Sequence, residues 1–168
     1  MKRLCCLVMA CLLVVCLSGC SFAEYVKYVD WGFGEPAAYD VYQIGETYSG
    51  DGFTITYKKC ERWDDYSKFA EPEKGYRFIR AKFLIENTGE WDRYFGSALF
   101  TCYADGVEAD QHYNVNCKDN MEVSVKLKPG ETSEGCIYYK VPVDAKKLEI
   151  GFAPSGVFTT MAGFAVNA

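Results

Sequence analysis

Arg77-Phe78-Ile79-Arg80-Ala81-Lys82-Phe83-Leu84-Ile85-Glu86 is the stretch that decides the fold. Ile79, Ala81, Phe83 and Ile85 fall on every second position, and Arg80, Lys82 and Glu86 fall between them. Successive side chains of a strand point to opposite faces, so this segment has one apolar and one charged face. A helix would spread the same residues around its whole circumference. Asn87-Thr88-Gly89 ends the run with turn-forming residues.

The period of two recurs on both sides. Phe53, Ile55 and Tyr57 alternate with Thr54, Thr56 and Lys58, entered through the turn Ser49-Gly50-Asp51-Gly52. Residues 62–74 are polar and end at Pro72 and Gly75, the signature of a loop. Downstream, residues 99–104, then Asp105-Gly106, then the run from Val107 predict a two-residue hairpin with Cys102 opposite Ala109. Residues 123–127, the turn Lys128-Pro129-Gly130-Glu131, and residues 136–141, 148–152 and 157–166 complete eight or nine strands. No twelve-residue window has helical periodicity. The expectation is a single all-β domain over residues 44–168, an antiparallel sandwich.

Composition agrees with a packed domain. Of 168 residues, 49% are hydrophobic, and 13 Tyr, 11 Phe and 3 Trp stand against only 5 Pro. The net charge is −5 and becomes more negative once Lys2 and Arg3 are removed with the leader proposed below. Such an acidic chain is a poor fit to nucleic acid. His112 is the only histidine, which excludes multi-histidine metal sites.

Several of these segments together carry a family likeness. Ile44-Gly45-Glu46-Thr47, Gly75-Tyr76-Arg77-Phe78-Ile79 running into Glu86-Asn87-Thr88-Gly89, Leu99-Phe100 ahead of Asp105-Gly106, and Leu127-Lys128-Pro129-Gly130-Glu131-Thr132 ahead of Gly135 and Tyr139-Lys140-Val141-Pro142 resemble the telokin-like, immunoglobulin-like sandwich domains of bacterial surface lipoproteins. The resemblance covers residues 44–166. It implies an extracytoplasmic immunoglobulin-like β-sandwich and offers no catalytic residues or cofactor.

The N-terminus reads as an address. Met1-Lys2-Arg3 is a basic start, residues 4–17 carry no charge, and Leu17-Ser18-Gly19-Cys20 closes the segment. Fourteen helical residues reach about 21 Å, short of the ~30 Å hydrocarbon core, so a signal peptide fits better than a span. Leu-Ser-Gly-Cys resembles the bacterial lipobox, which implies cleavage after residue 19 and a lipid on Cys20. Two or more acyl chains hold a protein stably to a membrane. Residues 20–43, broken by Trp31-Gly32-Phe33-Gly34-Glu35-Pro36, are expected to be a tether.

Removing the leader leaves Cys60, Cys102, Cys117 and Cys136 besides Cys20. An even set in an exported chain predicts two disulfides, with three connectivities open. Strand parity places Cys60 and Cys136 on equivalent faces and favours Cys60–Cys136 with Cys102–Cys117, unless a bulge reverses one of them. None of the spacings makes a C-x-x-C pair, so thioredoxin-like chemistry and zinc knuckles are excluded.

Candidate chemistry is sparse. His112 lacks a nucleophile in a strained elbow. Asp64, Asp65, Glu71 and Glu73 form an acidic loop without the ligand rhythm of a calcium site. Asp105, Glu108 and Asp110 suit a turn and an outward strand face, although an acid pair for glycoside hydrolysis is a formal alternative. Trp31, Trp63, Tyr66, Trp91 and Tyr94 lie in tether or loop segments and suit recognition of a protein or glycan. The expectation is a non-enzymatic lipoprotein, without cofactor or metal, facing outward from a bacterial membrane and binding a protein or glycan partner. An accessory subunit of a transporter or envelope assembly is the alternative, and an acid-pair hydrolase ranks below both.

Overall fold

Strand β4 (Tyr76–Asn87) lies between β3 (Phe53–Trp63) and β9 (Thr132–Pro142), antiparallel to both. Ile79, Ala81, Phe83 and Ile85 are fully buried, as the alternation requires. The Phe83 ring stacks on Tyr57 at 5.1 Å and on Phe100 at 4.8 Å. The computed structural model describes residues 39–66, 70–113, 117–154 and 160–167.

The remaining strands are β1 (Asp40–Tyr42), β2 (Thr47–Gly50), β5 (Arg93–Phe95), β6 (Phe100–Ala104), β7 (Val107–His112), β8 (Val125–Leu127), β10 (Leu148–Phe152) and β11 (Ala162–Val166). Nine of the eleven described strands form one continuous sheet in the order β1-β11-β10-β6-β7-β9-β4-β3-β2, and β5 pairs with β8 as a separate ribbon. Strand β7 pairs with β6 on one edge and β9 on the other. The sheet folds over there, and its two halves share one core. Phe83 on β4, Phe100 on β6 and Phe164 on β11 touch across it, as do Phe53 on β3 and Phe152 on β10. This is a β-sandwich. The ribbon caps one end, with Phe95 stacked on Phe152.

Both expected turns form. Asp51-Gly52 and Asp105-Gly106 have positive φ (49° and 78°, 50° and 84°), the geometry whose twist suits a two-residue hairpin. Cys102 lies opposite Ala109, as predicted.

Three expectations are corrected. Described strands number eleven rather than eight or nine, because short pieces such as β1, β2 and β5 carry too few residues to show a period. The sandwich also starts earlier than Ile44. Strand β1, inside the expected tether, runs parallel to β11, and Tyr42 packs on Tyr48 and Phe164. Finally, β3 carries a bulge between Tyr57 and Lys59. One extra residue reverses the facing of everything after it. Tyr57 pairs with Phe83 on the inner face, and Cys60 pairs with Ala81 on that same face. Without the bulge Cys60 would point outward.

Candidate functional site

Beyond the bulge, β3 delivers Glu61 and Trp63 to the outer face of the β3-β4-β9 sheet. Glu61 lies beside Arg80, and Trp63 beside Phe78. Phe78, Cys136 and Tyr138 are buried there with Trp63 in a second, smaller core that Tyr66 and Cys117 cover in part. Trp63 meets Tyr138 edge-on at 4.9 Å, and Phe78 packs on the His112 ring at 4.5 Å. The outer face was expected to be charged; here it holds an aromatic cluster closed over by loop residues.

A chain of charges runs along its rim. Lys59 pairs with Glu61 at 2.6 Å, Arg80 hydrogen-bonds Glu61, and Arg80 reaches Asp119 at 3.5 Å. Asp119 also accepts hydrogen bonds from the Tyr138 hydroxyl at 2.9 Å and the Cys136 thiol at 3.2 Å. Burial would raise the Asp119 carboxyl, but these two donors and Arg80 hold it below its ordinary value. The Cys136 thiol is pushed up to about 12 by burial and by Asp119. Tyr138 is raised by burial, then by Cys117 and Asp119. Burial, then Lys140, lowers His112, so its imidazole is neutral at pH 7.

The segment that brings Asp119 here is seated by backbone. Cys136 N–H donates to the Asp119 carbonyl at 2.6 Å, and Met121 N–H donates to the Cys136 carbonyl at 2.9 Å. Gly135 permits the approach, since a Cβ there would lie 2.6 Å from Met121 Cα.

Residues 42–162 match the family described as Domain of unknown function (DUF4352). The chain belongs to that family. Among solved structures, the DUF4352 sandwich is similar to several, three of which follow. The candidate lipoprotein ycdA of Bacillus subtilis has 15% identity and a TM-score of 0.56 over 68% of this chain and 35% of that one. The yjhA protein of the same species has 17% identity and 0.54, over 67% and 80%. MPT63, a secreted protein of Mycobacterium tuberculosis, has 13% identity and 0.53, over 77% and 98%. At these identities the likeness is one of fold. The chain spans about a third of ycdA's length. No curated protein matches it.

The DUF4352 domain disperses the acidic residues rather than gathering them. Asp64 pairs with Arg62, and Glu73 and Asp110 both pair with Lys140. Asp105 accepts from the Lys146 and Lys147 amides, the turn chemistry expected of it. Glu108 and Asp110 border a cleft of about 310 Å³ with Tyr76 and Lys140. Among the described residues no three His, Cys, Asp or Glu side chains are placed to hold a metal, and no helix is long and apolar enough to cross a membrane.

The aromatics divide. Trp63 is buried and Tyr66 half-buried in the outer cluster, whereas Trp91 is 74% and Tyr94 69% exposed beside and on the β5–β8 ribbon. Trp31, Cys20 and the whole signal segment lie outside the described residues.

All four cysteines of the DUF4352 domain are thiols in this structure. The favoured Cys60–Cys136 pairing is corrected. Cys60 packs against the inner core and Cys136 lies in the outer cluster, so the sheet itself separates them. Cys102, fully buried inside, is likewise divided from Cys117. The sequence signal for the reversal is the Lys58-Lys59 doublet, two adjacent charges in a strand that had alternated. The Asp119–Arg80–Tyr138 network had no comparable signal, because its members are far apart in the chain.

Proposed function

We propose that this chain is an extracytoplasmic lipoprotein, anchored through Cys20, whose sandwich serves as a non-enzymatic module for binding a partner protein. The observation that carries the reading is Leu17-Ser18-Gly19-Cys20 closing an uncharged run. The names of two fold neighbours, a candidate lipoprotein and a secreted protein, agree with that location. The contact surface proposed is the β5–β8 end, where Trp91 and Tyr94 offer large side chains at low entropy cost.

Two measurements test it. Cys20→Ser should leave the membrane fraction or accumulate as precursor; a cleaved Cys20→Ser protein that stays membrane-bound in normal amount refutes the anchor. Crosslinking in intact cells should recover a protein partner with the wild type and at least tenfold less with Trp91→Ala/Tyr94→Ala. Equal recovery removes that surface from the reading. One stoichiometric membrane protein as the captured species would identify the accessory-subunit form of the same role.

A further inference from the structure

The folded sheet sorts the four cysteines into two pairs. Cys102 lies mid-strand on β6 between the inward residues Phe100 and Ala104, and it is wholly buried. The bulge in β3 turns Cys60 toward the same interior, where it packs against the core that contains Cys102. Tyr57 and Tyr139, also buried there, neighbour both sulfurs. Cys136 faces the other way from β9, opposite Lys82, and Cys117 packs against the cluster that contains it. The backbone ties this second pair together. Asn120 bridges Cys136 in parallel register and donates its side-chain amide to the Cys117 carbonyl at 2.9 Å. Tyr138 contacts Cys117 and Asp119, and Asp119 takes the Cys136 thiol proton's hydrogen bond.

Of the three connectivities, two would join an inner sulfur to an outer one through a hydrogen-bonded sheet. We propose that the exported protein carries a Cys60–Cys102 disulfide inside the sandwich and a Cys117–Cys136 disulfide on its outer face. The proposal rests on the extracytoplasmic reading, because such bonds persist in oxidising compartments. Each bond removes two electrons and two protons from a thiol pair. The acceptor is the disulfide of an envelope thiol–disulfide exchange protein. In the folding chain the Cys60 thiolate attacks that disulfide, forming a mixed disulfide and expelling one donor sulfur. The Cys102 thiolate then attacks the Cys60 sulfur, and the donor departs as a dithiol. Cys117 and Cys136 react by the same two exchanges.

Burial pushes the Cys102 and Cys136 thiols up to about 12 in the folded chain, with Asp119 adding to the shift at Cys136. Thiolate is scarce at such a value, so oxidation belongs to the folding chain, before the core closes.

The test is peptide mapping of the full-length protein from its membrane fraction, quenched with acid, alkylated in denaturant so that buried thiols react, and digested without reductant. Cys60–Cys102 and Cys117–Cys136 peptides are expected. A peptide joining Cys60 to Cys117 or Cys136, or alkylation of all four positions, overturns the proposal. Recovery of one expected bond with the other two thiols alkylated overturns the missing half. Cys60→Ser should make Cys102 alkylatable and leave Cys117–Cys136 intact, and Cys117→Ser should do the converse with Cys136. Scrambled bonds in both variants count against the partition by face. The same preparation keeps the two readings apart. Four alkylated thiols in membrane-bound protein refute the bonds alone, whereas unprocessed protein in the cytoplasm refutes the location and the bonds with it.

Discussion

Asn87 and Asp119 show how single polar side chains hold this fold. Asn87 is fully buried, yet each of its side-chain groups is engaged: its amide nitrogen donates to the Trp91 and Leu127 carbonyls at 2.8 and 2.9 Å, and its oxygen accepts from Gly89 N–H at 3.0 Å. It stops β4 and ties the β5–β8 ribbon to the sheet, so the Asn-Thr-Gly stop has a structural cause. Asp119 acts by charge. Its folded pKa lies below the ordinary 3.8, so the folded state binds fewer protons there than the unfolded chain. Its contribution is therefore complete above the unfolded value and is lost as pH falls through the folded one. Asp119→Asn should lower the melting temperature at pH 7, and the gap from wild type should shrink steadily below about pH 4. A gap that is constant from pH 7 to pH 2.5 would show that the carboxylate charge contributes nothing.

At the scale of the element, the bulge in β3 decides more than any other irregularity. Lys58 adds one residue between the pairs Tyr57–Phe83 and Lys59–Lys82. Upstream, odd-numbered residues face the core; downstream, even-numbered ones do, which sends Cys60 inward and Trp63 outward. Lys58 itself is exposed, so its side chain matters little while its presence matters greatly. Lys58→Ala should change stability by under about 0.5 kcal/mol. Deleting Lys58 should cost several times as much, about 3 kcal/mol or more, because it turns Trp63 away from its cluster and Glu61 away from Arg80. Urea melts of the two variants check this. Similar midpoints would mean that the register beyond Tyr57 is not set by the extra residue.

For the whole molecule, one core serves both halves of the sheet. Phe83 touches Tyr57 from the neighbouring strand and Phe100 and Phe164 from the opposite half, so damage there is not confined to one element. Phe83→Asp buries an unpaired carboxylate and should cost several kcal/mol, enough to unfold a domain of ordinary stability. Lys82→Asp, one residue away, replaces an exposed, solvent-screened pair with Glu134 by an exposed like-charge contact and should shift the melting temperature far less than Phe83→Asp does. Comparable melting temperatures would refute the assigned facing of β4. What the sequence determined by itself was everything carried by neighbours in the chain. The period of two over residues 77–86, the Asp105-Gly106 turn and the Cys102–Ala109 register each depend on contacts a few residues apart. Only the tertiary structure decided which faces meet. The parallel β1–β11 pair, the outer aromatic cluster, the Asp119 network and the sorting of the cysteines join segments remote in sequence. Such contacts leave no local period, and a single inserted residue in β3 reverses the parity from which they would be inferred.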